Sequence, residues 1–179
     1  MRRIGVLPCA TPRGPGKTVQ SQASAGRHHQ SLEARTMNHT DITPSFGAEL
    51  CAGAQLAQFT DDEVTALKQL AAERGIVVAR EQKMDMQTQA AFGHRLGSLM
   101  TSPVNKPGIP DELIVIHAGP KSRAVAGQGW HSDVSSEPVP PGLSMLRMEV
   151  VPPSGGDTLF ADMYRAFETL SPILQTFLK

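Results

Sequence analysis

The residues best suited to chemistry are His131 and Asp133, in the run Trp130-His131-Ser132-Asp133. Two residues apart on a strand, they would point to one face. A neutral imidazole and a carboxylate make up two thirds of a 2-His-1-carboxylate site for non-haem Fe(II). Such a facial set leaves positions for a bidentate co-substrate and dioxygen. Further on, Gly155-Gly156-Asp157-Thr158 permits a tight turn with positive φ and then presents a hydroxyl. The bland alternatives are a surface strand with two polar residues in water and an ordinary β-turn. His131 is the last histidine in the sequence, so the pair has no imidazole partner after it.

Elements must hold these residues in place. Thr60-Asp61-Asp62-Glu63 reads as a capping box, with Thr60 as N-cap and Glu63 reaching back. Val64, Leu67, Leu70 and Ala71 then form an apolar stripe at helical spacing, and Gly75 supplies the stop. Ile76 to Ala79 reads as a short buried strand. A second helix is expected from about Asp85 to Leu99, with Phe92, Leu96 and Leu99 on one face and Gly93 weakening it. Residues 103–110 read as a loop, and residues 119–129 as another. Strands are expected over Glu112–His117, Trp130–Ser135, Leu143–Val151 and Thr158–Ala161. Asp162 opens a helix with Met163, Ala166, Phe167 and Leu170 inward, and Ser171-Pro172 starts a last short one. Strands at short spacing between Pro/Gly turns argue for a sandwich or jelly roll from Glu112 onward.

The chain has 179 residues, enough for one domain with a core, and its composition is that of an ordinary globular protein. Lysine plus arginine equals aspartate plus glutamate at 17 each, so no global field favours nucleic acid. Residues 1–40 nevertheless hold six of the basic residues and only Glu33 of the acidic ones. Rich in Gly, Pro, Ser, Gln and Arg, they read as a disordered basic arm. A targeting segment, a nucleic-acid arm and an over-extended start before Met37 compete to explain it, with the last preferred. Gly14-Pro15-Gly16-Lys17-Thr18 does not read as a phosphate-binding loop, because Thr11 stands where the pattern needs glycine, no strand is read before it, and Pro15 removes a backbone donor. Two cysteines, Cys9 and Cys51, make no disulfide framework and fit a reducing compartment, the cytoplasm. No apolar run approaches the roughly 18 residues of a membrane span.

Taken together, several motifs resemble the taurine dioxygenase family of Fe(II)/2-oxoglutarate-dependent oxygenases. They are Trp130-His131-Ser132-Asp133, Pro140-Pro141, Gly155 to Ala161, Tyr164, and Glu168-Thr169-Leu170-Ser171. Gly75-Ile76-Val77-Val78 and Phe92-Gly93-His94-Arg95-Leu96-Gly97 are similar too, so the likeness runs from about residue 45 to Lys179. It implies an α+β, mainly β fold: a double-stranded β-helix, or jelly roll, with flanking helices. It implies that His131 and Asp133 are the first two iron ligands. Thr158 would hydrogen-bond a carboxylate of 2-oxoglutarate, and Val134 would line the substrate pocket. The implied cofactors are Fe(II) and 2-oxoglutarate as co-substrate, and the implied partners are dioxygen and a small-molecule substrate. The implied reaction hydroxylates a small organic acid, sulfonate or sulfate ester while 2-oxoglutarate is decarboxylated to succinate.

The sequence departs from that pattern. The family's third ligand is a histidine far downstream, followed by an arginine for 2-oxoglutarate. After Asp133 this chain has no histidine, and its Arg147 and Arg165 do not match that arginine. Ser102-Pro103 stands where the taurine enzyme has His-Pro, and Gly127 replaces a substrate-contacting asparagine, so taurine itself is disfavoured. The expected organisation is therefore an arm over 1–40 and a partial oxygenase domain over 41–179, incomplete at the C-terminus. Exposed strand edges would follow and invite association. The chain alone is expected to bind Fe(II) poorly and not to turn over. The alternative is a non-catalytic β-sandwich binding module or degenerate fragment that keeps the motif without the chemistry.

Overall fold

The computed structural model describes residues 37–101, 107–119, 122, 127 and 129–179, together with the backbone of residues 3–8. The Gly14–Thr18 segment, the remainder of the expected arm, Ser102-Pro103 and most of the expected 119–129 loop lie outside the described residues.

Helix α1 spans Asp61–Arg74, and its start is the expected capping box. The Glu63 amide donates to Thr60 Oγ1 while the Thr60 amide donates to Glu63 Oε2, at 2.8 Å for the latter. Two of the orphan donors of the first turn are thereby satisfied. Val64, Leu67, Leu70 and Ala71 are all buried, as their spacing predicts. Gly75 caps the other end at φ +75°, and a Cβ there would lie 2.2 Å from the Phe46 ring. Both the left-handed backbone and that contact require glycine. Strand β4 (Val77–Arg80) follows at once, with Val77 and Ala79 turned to the core.

Helix α2 spans Met86–Leu96 and is capped by Asp85, whose carboxylate accepts from the Thr88 amide at 2.8 Å. It stops three residues short of Leu99. Leu99 instead folds back over Gly93, where a Cβ would come within 3.1 Å of it. The glycine that weakens the helix is therefore also what lets the chain return across it. Phe92 is buried and Leu96 packs on the core. Before α1 lie strands β2 (His39–Asp41) and β3 (Ala48–Leu50) and a 3-10 turn at Leu56–Gln58. Gln82, buried, joins these parts: its Oε1 accepts from the Leu56 amide and its Nε2 donates to the Ala54 and Arg80 carbonyls.

Strand β5 (Leu143–Arg147) completes one mixed sheet in the order β2-β3-β4-β1-β5, where β1 is Arg3–Pro8. Neighbours are antiparallel except for the parallel pair β3 and β4. Helices α3 (Met163–Glu168) and α4 (Pro172–Phe177) follow, capped by Asp162 and by Ser171 with Pro172 at the first turn. The fold is thus α+β, with a small mixed sheet and four α-helices among the described residues. None of these helices is long and apolar enough to cross a membrane.

Four expectations need correction. Residues 3–8, read as part of a disordered arm, form β1 in the interior of the sheet. The segment Arg3-Ile4-Gly5-Val6-Leu7-Pro8 is apolar enough to serve as a strand, which its basic and glycine-rich surroundings concealed. Glu112–His117, Trp130–Ser135 and Thr158–Ala161 join no ladder among the described residues. Strand β5 ends at Arg147 instead of Val151. Of the residues expected to face inward from α3, Met163 and Ala166 are exposed, while Phe167 and Leu170, the latter just past the helix, are partly covered. A strand needs a neighbour for its N–H and C=O groups, and here Ile114, Val115 and Ile116 stand more than half exposed.

Candidate functional site

The structure brings His131 and Asp133 together, on a turn rather than on a strand. His131 follows Gly129, and residues 133–136 form the turn, closed by the Glu137 amide donating to the Val134 carbonyl at 3.2 Å. Val134 sits at φ +49°, a conformation a β-branched residue adopts only under constraint. Strain of this kind costs about 1–3 kcal/mol and concentrates at functional sites. Gly127, at φ +83°, lies beside the His131 ring, where a Cβ would come within 3.5 Å of Cε1.

His131 Nδ1 lies 2.8 Å from the Gly129 carbonyl oxygen. A carbonyl only accepts, so Nδ1 carries the hydrogen and donates. That fixes the tautomer, and Nε2 of the neutral ring then presents a lone pair. Nε2 faces Asp133 Oδ1 at 3.3 Å. Two lone pairs opposed at that distance repel unless a proton or a cation lies between them. The pair is about half exposed, so a metal ion reaches it from solvent. A backbone carbonyl that orients the non-ligating nitrogen is the usual support of a metal-binding histidine.

The other expected residues are not joined to the pair. Thr158 is exposed, in chain without regular structure beyond Gly155 and Gly156, and no described hydrogen bond links it to His131 or Asp133. Both glycines have positive φ, +72° and +73°, as the turn reading requires, and a Cβ on Gly156 would press on Pro152. Val134 is 40 % exposed, next to the carboxylate it follows. Among the described residues, no three His, Cys, Asp or Glu side chains stand close enough to hold a metal ion. His94 is exposed but pairs with Glu112 at 3.4 Å.

The residue that fastens the site region, Arg147, is set aside in the sequence as no match to the family's arginine, and its structural role is not read there. Arg147, at the end of β5, has a side chain only 5 % exposed. Its Nε donates to Gln89 Oε1 at 2.7 Å and its Nη1 to the Met84 carbonyl at 2.8 Å, and it pairs with Glu149. These contacts tie the strand between the His131 turn and the Gly155 turn to α2. The available signal was an arginine within an otherwise apolar strand, which needs buried acceptors if it faces inward.

Residues 38–179 match the Taurine catabolism dioxygenase TauD, TfdA family. The chain belongs to this family. An alpha-ketoglutarate-dependent sulfonate dioxygenase of Saccharomyces cerevisiae is 37% identical over 155 residues, covering 76% of this chain and 36% of that protein. The alpha-ketoglutarate-dependent dioxygenase oryG of Aspergillus oryzae is 34% identical over 164 residues, covering 76% and 47% respectively. An alpha-ketoglutarate-dependent 2,4-dichlorophenoxyacetate dioxygenase of Cupriavidus pinatubonensis is 34% identical over 131 residues, covering 64% and 46%. The chain therefore spans less than half the length of these relatives. Alpha-ketoglutarate is 2-oxoglutarate, so the family brings with it that co-substrate, dioxygen, a small-molecule substrate and, typically, Fe(II).

Proposed function

We propose that this chain carries the first two metal ligands, His131 and Asp133, of an Fe(II)/2-oxoglutarate-dependent dioxygenase. Its substrate class is a small organic acid, sulfonate or sulfate ester. The observation that supports this reading is the opposed pair: Nδ1 held by Gly129 and Nε2 facing Asp133 Oδ1 at 3.3 Å. An imidazole and a carboxylate suit Fe(II), and they fill two positions of a facial triad. The third position needs a residue beyond those described.

Bound iron would supply the activation of dioxygen that hydroxylation requires. The chain's own residues hold and orient. His131 offers a fixed lone pair on Nε2 because its Nδ1–H donates to the Gly129 carbonyl. Asp133 offers a carboxylate oxygen beside it. Thr158 donates its hydroxyl to a 2-oxoglutarate carboxylate once the Gly155–Gly156 turn is drawn toward the pair. Val134, strained beside Asp133, borders the substrate. The exposed apolar runs at Ile114–Ile116 and Leu159–Phe160 become jelly-roll strands when the second sheet closes over them. The relatives' names range from sulfonates to an aryloxyacetate, which supports an anionic organic substrate without choosing among them.

Anaerobic equilibrium dialysis with Fe(II) tests this. The chain should bind weakly, His131→Ala and Asp133→Ala should each abolish that binding, and no succinate should form from 2-oxoglutarate. Unchanged binding in both variants would remove the assignment. The two-donor site also suits the other reading, a non-catalytic module. Succinate formation by a form that carries a further downstream histidine would exclude that module.

A further inference from the structure

The family match begins at residue 38, yet a strand from outside it, Arg3–Pro8, lies in the interior of the sheet. It separates β4 from β5. On one side Ile4, Gly5 and Val6 are level with Ala79, Val78 and Val77; on the other they are level with Arg147, Leu146 and Met145. Both ladders are antiparallel. Among the described residues β5 has no other strand neighbour, so its backbone bonding to the sheet runs through residues 4–8. The rows through positions 4 and 6 continue those of Ala79 and Val77, which are buried, and Met145, which packs on the core. Those two positions carry Ile4 and Val6, with Gly5 between them, the alternation a half-buried strand needs. Pro8, which has no N–H to give, stands at the last pair of the ladder, where its lack disturbs least.

We propose that the gap between β4 and β5 is a strand-accepting slot, and that residues 3–8 fill it in cis as an exchangeable strand. The ligand class is a short apolar peptide in extended conformation, antiparallel to both neighbours, recognised by main-chain hydrogen bonds on two sides. Strand addition of this kind draws affinity from the backbone and selectivity from alternate side chains. The consequence is local to β5. The strand between the His131 turn and the Gly155 turn is held to the core by Arg147, by Leu143 and Met145 packed on it, and by this inserted strand. Losing the insert removes its backbone ladder and leaves those side-chain contacts.

Two measurements on the full chain test the slot. In a background with Cys9→Ser and Cys51→Ser, the pair Gly5→Cys and Leu146→Cys places thiols at opposite positions of the ladder. Paired residues of antiparallel strands have Cα atoms about 4.5–5.5 Å apart, within disulfide range. A disulfide within monomers is expected under mild oxidation. Failure to form it, or its formation only between chains, would overturn the proposal. Val6→Pro removes a ladder donor. Amide exchange in β5 should then rise by about ten-fold or more, while the interior of α1 keeps its protection. A peptide of residues 2–8 added to the Val6→Pro chain should restore protection saturably. Unchanged exchange in β5, or no restoration by the peptide, would also overturn it. The slot is separable from the iron reading, since it is read at β5 and in the disulfide, with no metal added.

Discussion

From Ala48 to Phe92 the apolar side chains of α1, β3, β4 and α2 cover one another; from Ile114 to Leu178 most of the large apolar side chains stand in solvent, and Leu143 and Met145 of β5 are the ones that reach the core. Among the described residues none after Gly93 is buried as a whole, although the Arg147 side chain is. The contrast is one of wiring more than of hydrophobicity. A helix closes its hydrogen bonds within one segment and needs a single surface to cover. A strand is half a structure until another strand meets it. The first region has both helices and a sheet face beneath them. The second has the turns and the apolar runs but, apart from β5, no ladder among the described residues.

The sharpest break of that comparison is in core truncation. Leu67→Ala, at a fully buried position, should lower stability by about 2–5 kcal/mol. Ile116→Ala should stay within about 0.5 kcal/mol in the same urea titration. Comparable losses would mean that the second region is packed as firmly as the first. Next comes Gly75→Ala, which forces a Cβ into the Phe46 ring at positive φ and should cost about 1–3 kcal/mol. Phe46→Ala should recover the steric share of that loss and leave the backbone share.

Helix caps give a smaller effect. Thr60→Ala should cost about 1 kcal/mol globally, because α1 is part of the core. Ser171→Ala should fray α4 alone, visible in its amide exchange and absent from the global unfolding midpoint. A global shift from Ser171→Ala would erase the division between the regions. The smallest effect is on pH dependence at α2. The Thr88 amide, foremost, holds the Asp85 carboxyl below its ordinary value, with Arg147 adding to it. A depressed carboxyl stabilises above its ordinary value, and the gain is lost as pH falls through the lowered one. Thr88 protection should therefore fall on acidification below the usual carboxylate range, and Asp85→Asn should flatten that response.

Where the sequence was legible, the signals were local. Thr60, Glu63 and Gly75 mark both ends of α1, and the stripe between them names its buried face before any partner is known. Asp85 and Phe92 serve α2 similarly, and only Leu99 misleads, because its contact with Gly93 is made from outside the helix. The strands after Glu112 were read from β-branched and apolar runs. Those runs describe what the segments would bury, and not whether anything is there to bury it against. Strand β1 was missed for the converse reason: six apolar-leaning residues sit in basic, glycine-rich surroundings that mask them. At the site, the His131–Asp133 pairing was legible from spacing. The turn that delivers it was not, because Val134 takes up a backbone conformation its side chain disfavours.

Arg147 has a consequence for how such a sequence can drift. Its charge is housed by Gln89, the Met84 carbonyl and Glu149. A lineage that exchanges Gln89 for an apolar residue leaves the Arg147 Nε–H without its acceptor, and one that exchanges Arg147 first leaves a buried amide oxygen without its donor. Positions 89 and 147 should therefore change hands together, and descendants that keep one while losing the other should be scarce.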